Sequence, residues 1–187
     1  MRKLILAVAL TGFSFSAFAA ETYTIDPDHT YPHFTINHLG FSTMHGRFHT
    51  TKGKIVMDKT GNASSVDIII DAASVDTGMK KRDDHLRSPD FLNAAEFPEI
   101  TYKSSKVTFS GAKNATVDGT LTLAGVSKPV KLDVQSINCG VHPMDPKKEK
   151  FVCGFDATTK IKRSDFGVKF ALPAVGDEMV IMLEVEG

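Results

Sequence analysis

Along most of this chain apolar and polar residues trade places with a period of two. Val66, Ile68 and Ile70 alternate with Asp67, Ile69 and Asp71, and Val117, Leu121 and Leu123 with Asp118, Thr120 and Thr122. Val130, Leu132 and Val134 alternate with Lys131, Asp133 and Gln135, and Met179, Ile181, Leu183 and Val185 are set against Glu184 and Glu186. Phe34 and Ile36 share a face opposite Thr35 and Asn37, and Phe151, Phe155 and Ile161 share one parity with Cys153, Ala157 and Thr159. This pattern predicts antiparallel strands with one apolar and one wet face. Turn-forming clusters separate them: Asp26-Pro27-Asp28, Asp58-Lys59-Thr60-Gly61-Asn62, Ser110 to Asn114 and Ala124-Gly125. Gly40 and Gly46 predict bends or bulges. The class is therefore all-β, and about eight such strands close into a barrel that either fills with side chains or holds one small ligand. A sandwich is the competing architecture. A lipid-facing barrel is disfavoured, because Asp67, Lys131, Asp133 and Glu184 would have to face hydrocarbon.

One stretch departs from the alternation, Arg82 to Pro98. Met79, Arg82 and Leu86 fall at helical spacing, and Asp83 precedes Arg87 by four residues in the favourable order for an ion pair, which predicts a short helix. Ser88 before Pro89, with Asp90 following, predicts the cap and first turn of a second short helix. Phe91, Leu92 and Phe97 make this insertion apolar, and Pro98 ends it. It reads either as a plug over one end of the sheet or as a mouth that admits an apolar ligand past Arg82, His85 and Arg87.

Residues 1–19 read as a leader: Arg2 and Lys3 precede an apolar run from Leu4 to Phe18, and Ala17-Phe18-Ala19 suits a signal peptidase. Cleavage after Ala19 leaves a single domain, residues 20–187, expected to be exported. No later run has the length of a membrane helix. The 22 Lys and Arg fall to 20 when Arg2 and Lys3 leave, against 22 Asp and Glu, a balance of −2 that does not steer towards nucleic acid. Cys139 and Cys153 bracket a polar loop with Pro143, Pro146 and Lys147 to Lys150, and in an oxidising compartment they are expected to form a disulfide; two reduced, buried cysteines are the alternative.

Candidate chemistry is sparse. His29, His33, His45 and His49 cluster early, but on a strand side chains four apart are about 13 Å apart, so no metal site is expected. No nucleophile elbow, P-loop, dinucleotide fingerprint or H-E-x-x-H is present, so neither catalysis nor a cofactor is expected.

Several segments, taken in order, resemble the YceI-like family of polyisoprenoid-binding periplasmic proteins. They are Tyr23-Thr24-Ile25-Asp26, Phe34 to Gly40, Ser74-Val75-Asp76-Thr77, Arg82 to Pro98, Gly119 to Leu123, Gly125 to Val130, and Arg163-Ser164-Asp165-Phe166-Gly167. The resemblance implies a lipocalin-like, elongated eight-stranded antiparallel barrel with a short helical insertion. It implies binding, storage or transport of an isoprenoid lipid, such as a quinone or polyprenyl compound, or of a similar long-chain amphiphile, without catalysis. Strand parity and the insertion make Phe34, Ile36, Phe41, Ile68, Ile70, Leu86, Phe91, Leu92 and Phe155 candidates for the apolar lining, and Arg82, His85 and Arg87 candidates for the polar head group. Two alternatives stand beside the carrier. One is a hydrolase or transferase acting on a polyprenyl phosphate through Asp83 and His85; the other is a packed barrel that binds another protein. A barrel with an apolar mouth gains by covering it, which makes a homodimer a further expectation.

Overall fold

The alternating segments become eleven strands among the described residues, with one α-helix between the sixth and seventh. The structure is a computed structural model that describes residues 20–58 and 63–187; the expected leader, residues 1–19, and residues 59–62 of the turn expected after Met57 lie outside the described residues. The strands are β1 (Glu21–Thr24), β2 (His33–His38), β3 (Ser42–Phe48), β4 (Thr51–Met57), β5 (Ser65–Asp71) and β6 (Val75–Asp76). After α1 (Lys80–Leu86) come β7 (Glu99–Phe109), β8 (Ala115–Leu123), β9 (Val126–Val141), β10 (Phe151–Lys162) and β11 (Val175–Glu186).

All eleven belong to one antiparallel sheet, in the order β1-β4-β5-β7-β8-β9-β10-β11-β2-β3-β6. Its nominal ends meet. β3 runs on into β4 through His49 and Thr50, and β5 into β6 through a 3-10 turn at Ala72–Ser74, so each couple is one long strand bent at a corner. β3 pairs with β6 (Phe48↔Val75) and β4 with β5 (Thr51↔Ile70), so the two bent strands are neighbours on both sides of the corner. The His49 N–H to Ser74 O bond (3.1 Å) and the Asp71 N–H to Thr50 O bond (3.0 Å) carry the ladder around it. β1 and β2 likewise take successive places beside β4 and β3. Counted this way the sheet is a ring of eight strands: β2, β3/β4, β5/β6, β7, β8, β9, β10 and β11, which returns to β2 at Ile181↔Phe34. The barrel is therefore closed, and the two separate sheets of a sandwich are not formed.

The inward residues form two layers. One contains Tyr23, Ile55, Ile68, Leu132, Phe155 and Val185; the other contains Ile100, Leu123, Ile161 and Phe166, joined by Ala94 from the insertion. Tyr102, on the inner face of β7, belongs to the first layer. Its ring lies where a Cβ on Gly119 would be, 2.6 Å from that position, so only glycine at 119 leaves it room. The Tyr102 hydroxyl is 3.0 Å from the carbonyls of both Val117 and Val130, and burial raises its pKa.

Three expectations need correction. Gly46 does not interrupt a strand: it lies inside β3, paired with Phe34, and a Cβ there would fall 2.3 Å from the Phe34 ring. The bend is at Gly40, where Leu39 and Gly40 both take positive φ (57° and 74°). The second helix is absent, and Ser88 to Phe97 is a series of turns. The Ser88 hydroxyl accepts from Asp90 N–H (3.3 Å) two residues on, a local turn rather than a cap, and Asn93 at φ 46° stops helical propagation. The Asp83–Arg87 ion pair is also absent. Asp83 is buried and accepts from the Thr77 N–H (2.9 Å) and hydroxyl, while Arg87 pairs with Asp84 (3.0 Å). Arg87 also donates to the carbonyls of Ala73 (2.7 Å) and Val75 (2.9 Å), tying α1 to the corner between β5 and β6.

Cys139 and Cys153 form the expected disulfide and sit directly opposite each other on β9 and β10. Cys153 exchanges both of its backbone hydrogen bonds with Gly187 on its other side, so the cysteines occupy a non-hydrogen-bonded pair, where opposed side chains come closest. The sequence separation is 14. Replacing both cysteines by serine is expected to lower the unfolding free energy by about 3 kcal/mol, measured by urea denaturation without reductant; an unchanged midpoint would show that the crosslink adds nothing to the ladder.

Candidate ligand-binding site

Above the Tyr102 layer the barrel is not full. A cavity of about 340 Å³ lies between the strands and the insertion. Phe34 and Ile36 of β2, Met44 and Phe48 of β3, and Ile70 of β5 border it on one side. Leu121 and Leu123 of β8, Ile161 of β10, and Met179 and Ile181 of β11 border it on the other. Leu86, Phe91 and Leu92 of the insertion roof it. Below Tyr102 a second space of only about 60 Å³ remains, among Ile55, Val117, Leu132 and their neighbours. Of these two interior spaces, only the upper one reaches the size of a small-molecule site, roughly 300 Å³ and above.

Alternation explains the upper wall. Phe34, Ile36, Ile70, Leu121, Leu123, Ile161, Met179 and Ile181 have the inward parity read from the sequence, while His33 and His45 border the cavity from the opposite parity; the β8–β9 hairpin holds its parity because Ala124 and Gly125 form a two-residue turn with positive φ at both (47° and 77°). The roof is held by aromatic contacts. The His85 ring meets Phe91 and Phe170 edge to face at 5.0 and 5.1 Å, and these two phenyl rings meet each other at 5.3 Å. His85 Nε2 is 2.8 Å from Asp90 Oδ2, which fixes the ring's orientation.

Of the residues singled out from the sequence, Phe34, Ile36, Ile70, Leu86, Phe91, Leu92, Arg82 and His85 border the upper cavity. Ile68 and Phe155 border the small lower space instead: parity placed them inside but not at which height. Phe41 is 90 % exposed at the tip of the β2–β3 turn, because the left-handed residues Leu39 and Gly40 reset the alternation before it. Arg87 does not border the cavity; its guanidinium is spent on the corner. Asp83 and His85 do not form a pair. Two residues apart on a helix they face different ways, and each is already bonded, to Thr77 and Asp90. Among the described residues no three His, Cys, Asp or Glu side chains gather as metal ligands. His29, His33 and His49 each meet a separate carboxylate, of Asp26, Glu184 and Asp76.

Comparison with known proteins places this architecture. The YceI-like domain family matches residues 23–187. The chain belongs to that family. It is 38 % identical to protein YceI of Escherichia coli O17:K52:H18 over 192 residues, covering 100 % of this chain and 98 % of that protein. It is 37 % identical to a UPF0312 protein of Pseudomonas aeruginosa, with the same coverage. Among solved structures, BcnA of Burkholderia cenocepacia superposes with a TM-score of 0.75 at 23 % identity, over 87 % of this chain and 99 % of that one. The Campylobacter jejuni YCEI protein gives 0.67 at 28 % identity, over 100 % and 98 %. A polyisoprenoid binding domain from Saccharophagus degradans gives 0.63 at 17 % identity, over 88 % and 96 %. The two structures below 25 % identity bear on the fold alone.

Alternation did not reveal one residue of this YceI-like site. Arg163 begins a 3-10 turn (Arg163–Phe166) after β10, is only 2 % exposed, and borders the cavity. It donates to the carbonyls of Gly176 (2.8 Å), Val168 (3.0 Å) and Val175 (2.9 Å), so it ties the start of β11 and the loop before it to the end of β10. The segment Arg163 to Gly167 stands out in the sequence only as part of the family resemblance, since a single buried cation has no periodicity.

Asp177 holds the same turn. The Ser164 hydroxyl (2.7 Å) and N–H (2.9 Å) bond to its carboxylate and keep its pKa below the ordinary 3.8. A carboxyl depressed in the folded state contributes stability above its unfolded pKa and loses it as pH falls through the folded value. The urea midpoint is therefore expected to fall between about pH 5 and pH 3, and to fall less steeply in Asp177→Asn. Parallel slopes for the two proteins would mean that this contact adds no pH-linked stability.

Proposed function

We propose that this protein binds and carries a long-chain isoprenoid lipid, a polyprenyl compound or isoprenoid quinone, or a similar amphiphile, in the upper cavity. The reading includes export: residues 1–19 act as a removable leader, and the domain of residues 20–187 works in the periplasm. It includes no chemistry on the ligand. The observation that carries it is the unfilled apolar space of about 340 Å³ inside an otherwise close-packed barrel. Family membership supports it, as does the description of the Saccharophagus degradans neighbour as a polyisoprenoid binding domain. The cystine between β9 and β10 suits an oxidising compartment.

The energetics suit a carrier. Each methylene moved from water into such a cavity contributes about 0.8 kcal/mol, and interchangeable aliphatic contacts supply it. A bilayer offers nearly the same per methylene, so exchange between the two is close to balanced.

Native mass spectrometry of protein purified without detergent from its host's periplasm, followed by organic extraction, is expected to show a stoichiometric isoprenoid or other long-chain lipid. Ile70→Gln is expected to reduce occupancy about tenfold, because it places an unbonded amide in the wall, whereas Phe41→Ser on the exposed turn should leave it unchanged. A bare polypeptide mass from the native source, or equal occupancy in a folded Ile70→Gln protein, would count against the carrier.

A further inference from the structure

The charged groups on the cavity wall are all of one sign. Arg82 and Arg163 border it, with His33, His38, His45 and His85, and no aspartate or glutamate does. The arginine ion pairs of the described residues belong to Arg47 and Arg87, so neither cavity arginine touches a carboxylate directly. The nearby carboxylates stand behind the wall: Asp83 meets Arg82 only through the Thr77 hydroxyl, and Asp177, bonded to Ser164, faces the Arg163 charge without a direct ion pair. The histidines carry less weight, since His33 and His85 already face Glu184 and Asp90.

A guanidinium has five N–H donors. Arg163 uses three on backbone carbonyls, which leaves two. Arg82 uses two, from Nε to the Thr77 hydroxyl (2.7 Å) and from Nη2 to the Thr77 carbonyl (2.7 Å), which leaves three. The two arginines flank one loop: Arg163 bonds the carbonyl of Val168, and Phe170 two residues on packs against His85, one helical turn from Arg82. A neutral hydroxyl or quinone head would leave the spare donors of Arg82 without a charged acceptor at the cavity edge.

We propose that the amphiphile carried here has an anionic head, a carboxylate or a phosphate, bonded by the free N–H groups of Arg82, with no acidic side chain on the cavity wall to compete for them. A guanidinium matches the paired oxygens of either group. This inference rests on the carrier reading and narrows its ligand to one chemical class.

The test is a matched series on ligand-stripped protein: hexadecanol, hexadecanoate and hexadecyl phosphate, titrated by displacement of a neutral fluorescent probe at about pH 8, above the ordinary histidine range. At least one anion is expected to bind about tenfold or more tighter than the alcohol, and the comparison of carboxylate with phosphate identifies which head is preferred. Arg82→Gln should remove that preference, with hexadecanol titrated on the same variant to report whether the cavity still binds a chain, and Arg82→Lys should restore part of it. Equal affinity for alcohol and anions, or a preference that survives Arg82→Gln, overturns the anionic head and leaves the carrier standing. Failure of every chain to bind overturns both.

Discussion

The return of one antiparallel sheet onto itself, through the pairing of β11 with β2, is the constraint on which the rest of this molecule depends. An antiparallel sheet this long either exposes two edges or closes, and closing one around a narrow interior demands corners. Here they are made by chain continuity: β3 passes into β4 and β5 into β6, each changing direction without leaving its neighbour. The bonds at His49 and Asp71 cross that bend, and Arg87 reaches from the insertion to cap the carbonyls it frees. The insertion is thus fastened by the same groups that the corner leaves unpaired, and it comes to lie over the cavity as a result.

Closure sorts the inward side chains by height, and the two heights do different work. The lower layer is filled, with Tyr23 meeting Phe155 edge to face at 6.1 Å, and it lies at the end crosslinked by the cystine. The upper layer keeps its aliphatic wall but leaves the axis empty. Leaving such space open forgoes packing that a filled core would gain, so the densely packed end provides much of the stability that the open end gives up.

Inside and outside were legible in the sequence because the pleat has a period of two, and the inward parity of Phe34, Ile70, Leu123 and Ile181 follows from it directly. Height along the barrel was not legible, since Ile68 and Ile70 have the same parity and face different spaces. Phe41 was misplaced because parity does not survive a turn with left-handed residues. The second helix was misread because Ser88 and Pro89 fit a cap equally well as a turn, and Asn93 decides the matter only through its backbone conformation. Gly46 was read as a break because nothing local shows that the Phe34 ring, twelve residues earlier, covers it. Arg163 lay beyond pattern reading altogether, because its partners are carbonyls that any sequence supplies.

Ile68 and Ile70 turn the same way from one strand and face different spaces, so the layer packed around Tyr23, Tyr102 and Phe155 lies beneath the upper cavity. On the carrier reading proposed above, the length of an occupant is then set by how far that lower layer yields: a short chain fits within the upper wall, and each further carbon has to displace packed side chains or stay out beside the insertion.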